Sequence, residues 1–83
     1  MNHLRVFQAI WIGPTNTLGD RVKLIDHRTG QKVTIPVKYH DIDKDARQIA
    51  TEFLYSIGID VVSFGTADKG YFLMSDNFEK FMR

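Results

Sequence analysis

The sequence contains no cysteine, and its apolar runs are too short to span a bilayer. Without thiols the chain has no disulfides, no thiolate metal ligands and no thiol-based redox chemistry. Absence of cysteine also agrees with a reducing compartment. The most apolar segment, residues 4–12, is interrupted by Gln8 and has no convincing signal-peptide cleavage site. We therefore expect a cytoplasmic protein without a membrane partner.

The usual motifs of catalysis are missing as well. There is no glycine-rich phosphate loop, no nucleophile elbow and no paired-carboxylate pattern. The three histidines, His3, His27 and His40, do not have the spacing of a known set of metal ligands. We expect a non-enzymatic protein with no catalytic residues, no metal and no cofactor.

One acidic segment resembles a calcium-binding loop. Asp41, Asp43, Asp45 and Glu52 occupy positions 1, 3, 5 and 12 of the EF-hand pattern. However, Ala46 stands at position 6, where the sharp turn requires glycine. We interpret these acids as the start of a helix, where an aspartate caps the first turn.

Length and composition predict a single small globular domain over residues 1–83. The chain is 43% hydrophobic, so disorder is not expected. Residues 1–40 have a formal net charge of +4, whereas residues 41–83 have −3. A domain polarised in this way offers a basic surface to an acidic partner.

The hydrophobic pattern predicts an α+β fold of order β-β-β-α-β-β, with one main helix packed on a small, mostly antiparallel sheet. The strands are predicted in residues 4–12, 21–25, 32–38, 59–64 and 70–75. The helix is predicted by an apolar stripe that ends before Gly58, formed by Ala46, Ile49, Ala50, Phe53, Leu54 and Ile57.

The second and third strands form the clearest hairpin, with Gly30 as the positive-φ residue of the turn. This turn places Leu24 opposite Val33 and Val22 opposite Ile35. Pro36 cannot donate to a strand ladder, so the third strand is expected at a sheet edge. The other face of the hairpin is then formed by Arg21, Lys23, Ile25, Lys32, Thr34 and Pro36.

The last hairpin is apolar on both of its faces. Val62, Phe64, Tyr71 and Leu73 are predicted on one face, and Val61, Phe72 and Met74 on the other. A short C-terminal helix with Phe78, Phe81 and Met82 could cover the second face, starting from a capping box at Asp76 and Glu79. The alternative covers are a partner molecule or a second copy of the chain.

The candidate binding surface consists of cations on the first hairpin and polar residues of the loop before it. Arg21, Lys23 and Lys32 are predicted on one strand face, with Arg28 at the hairpin tip and Lys38 beyond. Hydroxyl and amide donors come from the preceding loop, through Thr15, Asn16 and Thr17. Such a surface could hold phosphates, with Trp11 or Tyr39 stacking on a base. The alternatives are a solvated strand face and a self-bonded turn.

The segment "TNTLGDRVK" resembles a group of small proteins of phages, plasmids and other mobile elements that share a T-N-T-x-G-x-R-[IV]-K signature. The signature matches here at Thr15, Asn16, Thr17, Gly19, Arg21 and Lys23, within a similarity over residues 6–74. Asp20 stands where the group has a small residue such as serine, which argues against a phosphate contact by this loop. The group has no assigned activity, so the resemblance implies a genomic context.

These observations leave three hypotheses for the function. The first is an accessory protein of a mobile element that binds a macromolecule, with a protein as the expected partner. The second is a nucleic-acid-binding module that uses the basic face of the first hairpin. The third is a self-associating component, such as a homodimer, joined through the apolar faces of the last hairpin.

Overall fold

A five-stranded sheet and one helix form the fold in the computed structural model, which describes residues 4–13, 19–38 and 43–76. In chain order the elements are β1 (Arg5–Ile12), β2 (Arg21–Asp26), β3 (Lys32–Pro36), α1 (Ala46–Ser56), β4 (Ser63–Thr66) and β5 (Tyr71–Ser75).

The strand order in the sheet is β3-β2-β1-β5-β4, and every neighbouring pair is antiparallel. The helix lies between β3 and β4 along the chain, so this connection carries the chain from one sheet edge to the other. The helix packs on one face of the sheet, over β1, β2, β3 and β5. The structure thus confirms an α+β fold with one helix on an antiparallel sheet.

The β2–β3 hairpin has the register that the sequence predicts. Leu24 lies opposite Val33 and Val22 opposite Ile35, and Gly30 in the turn has a φ of 77°. Pro36 is in β3 at the edge of the sheet, where a missing N–H disturbs no ladder on the outer side. The turn chemistry and the alternation of apolar residues therefore suffice to set this pairing.

The helix begins at a capping box. Asp45 is the N-cap, and its Oδ1 accepts a 2.8 Å hydrogen bond from the backbone N–H of Gln48. The Gln48 side chain accepts in return from the backbone N–H of Asp45, at 3.2 Å. Asp45 is therefore the aspartate that caps the helix. Glu52, another residue of the calcium-like pattern, binds Lys44 at 2.8 Å.

The helix ends at Ser56 with Ile57 as its C-cap, so Gly58 is the residue after the cap, as the sequence predicts. The N–H of Gly58 donates to Tyr55 O and the N–H of Ile59 donates to Leu54 O, which is the Schellman arrangement. Gly58 has a φ of 87°, a conformation that residues with a Cβ rarely adopt. Ile59 and Leu54 are both fully buried, so the end of the helix is also fixed by the core.

The core lies between α1 and the sheet face that the helix covers. Its fully buried members come from three neighbouring strands, the helix and the residue after its cap. They are Phe7, Ala9, Val22, Leu24, Ala50, Leu54, Ile59 and Leu73. Burial of these side chains is the main favourable term for a domain of this size.

The prediction for Val61 and Val62 is wrong, because the strand alternation is broken at the start of β4. The N–H of Val62 donates to Met74 O, although the cross-strand partner of Met74 is Ser63. Two residues of one strand thus face one residue of the other, as in a β-bulge. Val61 consequently packs against the core, whereas Val62 is 55% exposed.

Several features named from the sequence lie outside the described residues. They are the C-terminal helix with Phe78, Phe81 and Met82, the loop segment with Thr15, Asn16 and Thr17, the aromatic Tyr39, the acid Asp41, and the histidines His3 and His40. Within the described ranges, no helix has the length and apolar character needed to cross a bilayer.

Candidate functional site

The face of the sheet opposite α1 carries the cations of the first hairpin. We call this surface the open face, and no described helix packs on it. Its side chains alternate along each strand with those buried under α1. Its members are Val6, Gln8, Ile10, Ile12, Arg21, Lys23, Ile25, Lys32, Thr34, Pro36, Ser63, Gly65, Phe72 and Met74.

Charge on the open face has one sign. Arg21, Lys23 and Lys32 are its cations, and none of the open-face residues is acidic. Arg21 and Lys23 are half-buried, whereas Lys32 is exposed. Positions two apart on a strand are separated by about 7 Å. The three cations therefore form one cluster on two adjacent strands.

The cross-strand neighbours of these cations are apolar or neutral. Arg21 lies between Ile12 on β1 and Pro36 on β3. The Nη1 atom of Arg21 is buried and has no hydrogen-bond partner among the described residues. A buried guanidinium N–H without a partner is costly to the fold.

Lys23 and Lys32 have similar surroundings. Lys23 lies between Ile10 on β1 and Thr34 on β3, and Lys32 lies opposite Ile25. Because no acid is paired with them across the strands, their charges face solvent or a partner.

The remaining residues of the predicted surface lie outside this cluster. Arg28 is exposed in the turn between β2 and β3, and its backbone N–H donates to Asp26 Oδ1 at 2.9 Å. Lys38 is exposed just beyond β3, and the alternation of β3 continues to it, because Val37 packs against the core and its N–H donates to Asp20 O. Thr15, Asn16 and Thr17 belong to the segment that is not described. The structure therefore brings together Arg21, Lys23 and Lys32 out of the predicted set.

Trp11 lies on the opposite face from these cations, so it is not positioned to stack on a base that they hold. Tyr39, the other candidate for stacking, lies outside the described residues. Trp11 packs against the core on the α1 side, and its Nε1–H donates to Asp20 Oδ1 at 3.4 Å. It lines a cavity of about 590 Å³ beside the start of the helix, together with Tyr71 and Lys69. The sequence could not assign this face, since β1 is apolar on both sides.

A chain of hydrogen bonds crosses the middle of the open face. His27 Nε2 lies 3.0 Å from Gln8 Oε1, and Gln8 Nε2 donates to Lys69 O at 2.9 Å. The His27 ring also meets the edge of Phe72, with 6.0 Å between ring centroids. These contacts tie the two hairpin turns to the central strand. In the sequence, the polar residue Gln8 within the apolar segment 4–12 was the feature that could have indicated this network.

Gly70 holds the β4–β5 turn against β1. A Cβ at this position would lie 1.8 Å from Ala9 O, and the φ of Gly70 is 80°. Any other residue would push the turn away from β1. Gly70 therefore positions Lys69, whose carbonyl accepts the hydrogen bond from Gln8.

The α1 side of the sheet contains a charged pair of a different kind. Arg5 Nη2 donates to Asp26 Oδ2 at 2.7 Å, and the two side chains are 2% and 0% exposed. The Arg5 guanidinium also lies over the Phe7 ring, 4.7 Å from its centroid. Sequence reasoning missed this pair, because residues separated by 20 intervening positions give no local signal of contact.

Asp26 is held in its charged form. Burial by itself raises the pKa of this carboxyl, but hydrogen bonds from Arg5 and from the N–H of Arg28 outweigh it and leave the pKa below its ordinary value. Because both of its oxygens accept hydrogen bonds inside the protein, Asp26 serves the fold.

Among the described residues, no group of three or more histidines and acids is arranged to hold a metal ion. The geometry thus offers a basic, partly apolar sheet face as the best candidate for a functional surface. Comparison with known proteins assigns no family, since no protein-family model, curated protein or solved structure matches the chain.

Proposed function

We propose that this chain is a non-enzymatic accessory protein of a mobile element that binds a partner protein through the open face. The observation that carries this proposal is the cluster of Arg21, Lys23 and Lys32, which lies among apolar side chains with no acid among the described residues of that face. The mobile-element context rests on the resemblance of the segment from Thr15 to Lys23.

The mixture of charge and apolar surface favours a protein with an acidic patch as the partner. Ile10, Ile12 and Ile25 lie directly beside the cations and are half-buried, so each retains apolar area that a partner could cover. Protein interfaces combine an apolar centre with charged groups that select the partner and speed its approach. Acidic residues of the partner would neutralise the three cations of the open face.

A nucleic acid is the second candidate, and it is favoured because the open-face residues that the structure describes include no acid. Phosphates would be attracted to all three cations. Base stacking has less support, because Trp11 is on the α1 side and Phe72 is the aromatic residue among the open-face members. Sites for single strands usually combine a basic groove with several stacking platforms. For this reason we rank the protein partner first.

Co-purification of tagged variants from a host extract treated with nuclease tests the proposal. One variant carries Lys23→Glu and Lys32→Glu on the open face. The matched control carries Arg28→Glu in the hairpin turn and Lys69→Glu beside Trp11, which changes the net charge equally at exposed cations off that face. We expect the wild-type chain and the control to retain one stoichiometric partner, and the open-face variant to lose it.

The proposal is contradicted if no stoichiometric protein is retained, or if both double variants behave alike. A gel-shift panel of single- and double-stranded DNA and RNA then decides on the second candidate. Nucleic-acid binding would weaken steeply as salt rises and would be lost in the open-face variant. No shift at low salt would exclude that candidate, leaving a solvated sheet face.

A further inference from the structure

The two edges of the sheet differ in how they are protected. The outer strand β3 contains Pro36 and Lys32, residues that discourage pairing with another strand. The other outer strand, β4, has the sequence SFGT, with neither proline nor charge. Phe64 in β4 is 46% exposed and the adjoining Val62 is 55% exposed. The β4 edge is therefore the one open to an added strand, apart from the bulge at its first residue.

The hydrogen-bond pattern of β4 shows which groups are available at this edge. Ala67 N–H donates to Gly70 O, and Thr66 lies opposite Tyr71. In an antiparallel ladder, alternate residues bond to the same neighbour. Gly65 thus bonds to β5, whereas the backbone groups of Phe64 and Thr66 point away from the sheet. Two residues can each offer an N–H and a C=O to another strand.

A groove runs beside this edge, because α1 packs mainly over the other four strands and reaches β4 through the Arg47 side chain. The cavity between the helix and β4 measures about 390 Å³. It is lined by Lys44, Arg47, Gln48, Thr51, Glu52 and Phe64.

Arg47 is the charged group that this groove presents. Its guanidinium lies over the Phe64 ring at 5.1 Å and over the Tyr71 ring at 5.8 Å, so two aromatic rings hold it in place. The nearest acid is Asp45, at 3.8 Å, and the Arg47 side chain remains 43% exposed. Glu52, the other acid of the groove, binds Lys44 through both of its oxygens, at 2.8 and 2.9 Å.

We propose that the groove between β4 and α1 binds an extended peptide segment of a partner protein, which adds to β4 as a further antiparallel or parallel strand. The segment places an acidic side chain in the groove, where its carboxylate receives hydrogen bonds from Arg47. Main-chain bonds to Phe64 and Thr66 supply affinity, and the side chain in the groove supplies specificity. We specify an acidic side chain because Arg47 is positively charged and is paired less closely within the protein than Lys44, the other cation of the groove.

This site is separate from the open face, because it lies on the helix side of the sheet and at its opposite edge from β3. The two proposals can therefore fail independently. Substitutions in the groove leave Arg21, Lys23 and Lys32 in place.

Selection from a phage-displayed library of random 12-residue peptides tests the site on the full chain. We expect enriched peptides to share an acidic residue flanked by β-forming residues. A synthetic enriched peptide is then titrated into the ¹⁵N-labelled chain. The amide signals of Phe64 and Thr66 should shift, and exchange of these two amides with solvent should slow.

The key variant is Thr66→Pro, with Thr66→Val as its matched control. Proline removes the N–H that points outward and leaves the bonds between β4 and β5 intact, so the fold should be retained. We expect the peptide to bind about tenfold more weakly to the proline variant and normally to the valine variant. Arg47→Glu should weaken binding at least as much, whereas Arg28→Glu, in the distant turn, should not.

Three results would overturn the proposal. The first is a selection without acidic peptides, and the second is a peptide whose shifts map to the open face. The third is a dimer mass by light scattering that Thr66→Pro converts to a monomer, which would make a second copy the occupant of the edge. If Thr66→Pro does not fold, the comparison of Arg47→Glu with Arg28→Glu decides alone.

Discussion

The two faces of the sheet use charge in opposite ways. On the α1 side, the charge of Asp26 is matched by Arg5 at 2.7 Å and excluded from water. On the open face, Arg21 and Lys23 come from the same strand as Asp26 and have no acid across from them. Charge on the first face thus fixes the structure, and charge on the second is available to a partner.

This difference has an energetic basis. A buried ion is tolerated only when a partner and hydrogen bonds replace the water it has lost. Asp26 meets this condition through Arg5 and the N–H of Arg28. A cation at a partly exposed strand position keeps much of its hydration and needs no partner for folding. Removing a charge should therefore have very different effects on the two faces.

The largest expected effect separates Arg5 from Arg21. Arg5→Met leaves the buried carboxylate of Asp26 without its main partner, which should reduce the free energy of unfolding by about 3–5 kcal/mol. Arg21→Met makes the same change on the open face and should cost less than about 1 kcal/mol, since Nη1 of Arg21 has no hydrogen bond to lose. Urea unfolding followed by circular dichroism measures both values. Equal losses of unfolding free energy in the two variants would contradict the claim that charge stabilises the fold on the α1 side only.

Acidification should weaken the α1 side selectively. The pKa of Asp26 is lowered in the folded protein. At acidic pH the unfolded chain therefore binds more protons at this carboxyl than the folded chain does. The stability contributed by this group is fully present above about pH 5 and is lost as the pH falls through about 4 and below. Unfolding free energy should therefore fall with pH less steeply in Asp26→Asn than in the wild type.

The control for this pH series is Asp60→Asn, which removes an exposed acid. Its pH dependence should follow that of the wild-type chain. If Asp26→Asn retains the full wild-type slope between about pH 5 and 2, the acid sensitivity has another origin.

A smaller effect tests the cap of the helix that covers one face. Asp45→Ala removes the acceptor for the N–H of Gln48 and should cost about 1 kcal/mol. The neighbouring exposed acid gives the comparison, and Asp43→Ala should cost less than about 0.5 kcal/mol. Thermal unfolding of the two variants under the same conditions checks this difference. A larger loss of stability in Asp43→Ala than in Asp45→Ala would contradict the assignment of Asp45 as the N-cap.

Local rules predicted much of the fold from the sequence. The β2–β3 register follows from the turn at Gly30 and the alternation of Val22, Leu24, Val33 and Ile35. The helix follows from its apolar stripe, and its end follows from Gly58, because each feature depends on residues close in sequence.

Features that depend on distant residues could not be predicted in this way. Nothing near β5 indicates that it pairs with β1, and both strands are apolar on two faces. The ion pair of Arg5 and Asp26 depends on this arrangement. The bulge at the start of β4 reverses which of Val61 and Val62 faces the core. No proline or glycine at this point of the sequence indicates a bulge.

The candidate site was likewise predictable only where it depends on residues close in sequence. Arg21, Lys23 and Lys32 could be placed on one face because the hairpin register fixes them. The position of Trp11 on the other face could not be predicted, since it depends on which side of β1 the helix covers.

Lysine footprinting in a host extract tests the central claim most directly. The chain is acetylated by a water-soluble reagent in extract and in buffer, and the rate at each lysine is measured by mass spectrometry. We expect Lys23 and Lys32 to react much more slowly in the extract, while Lys69, on the α1 side near Trp11, reacts at the same rate in both. Unchanged rates at Lys23 and Lys32 would contradict the assignment of the open face as the partner-binding surface.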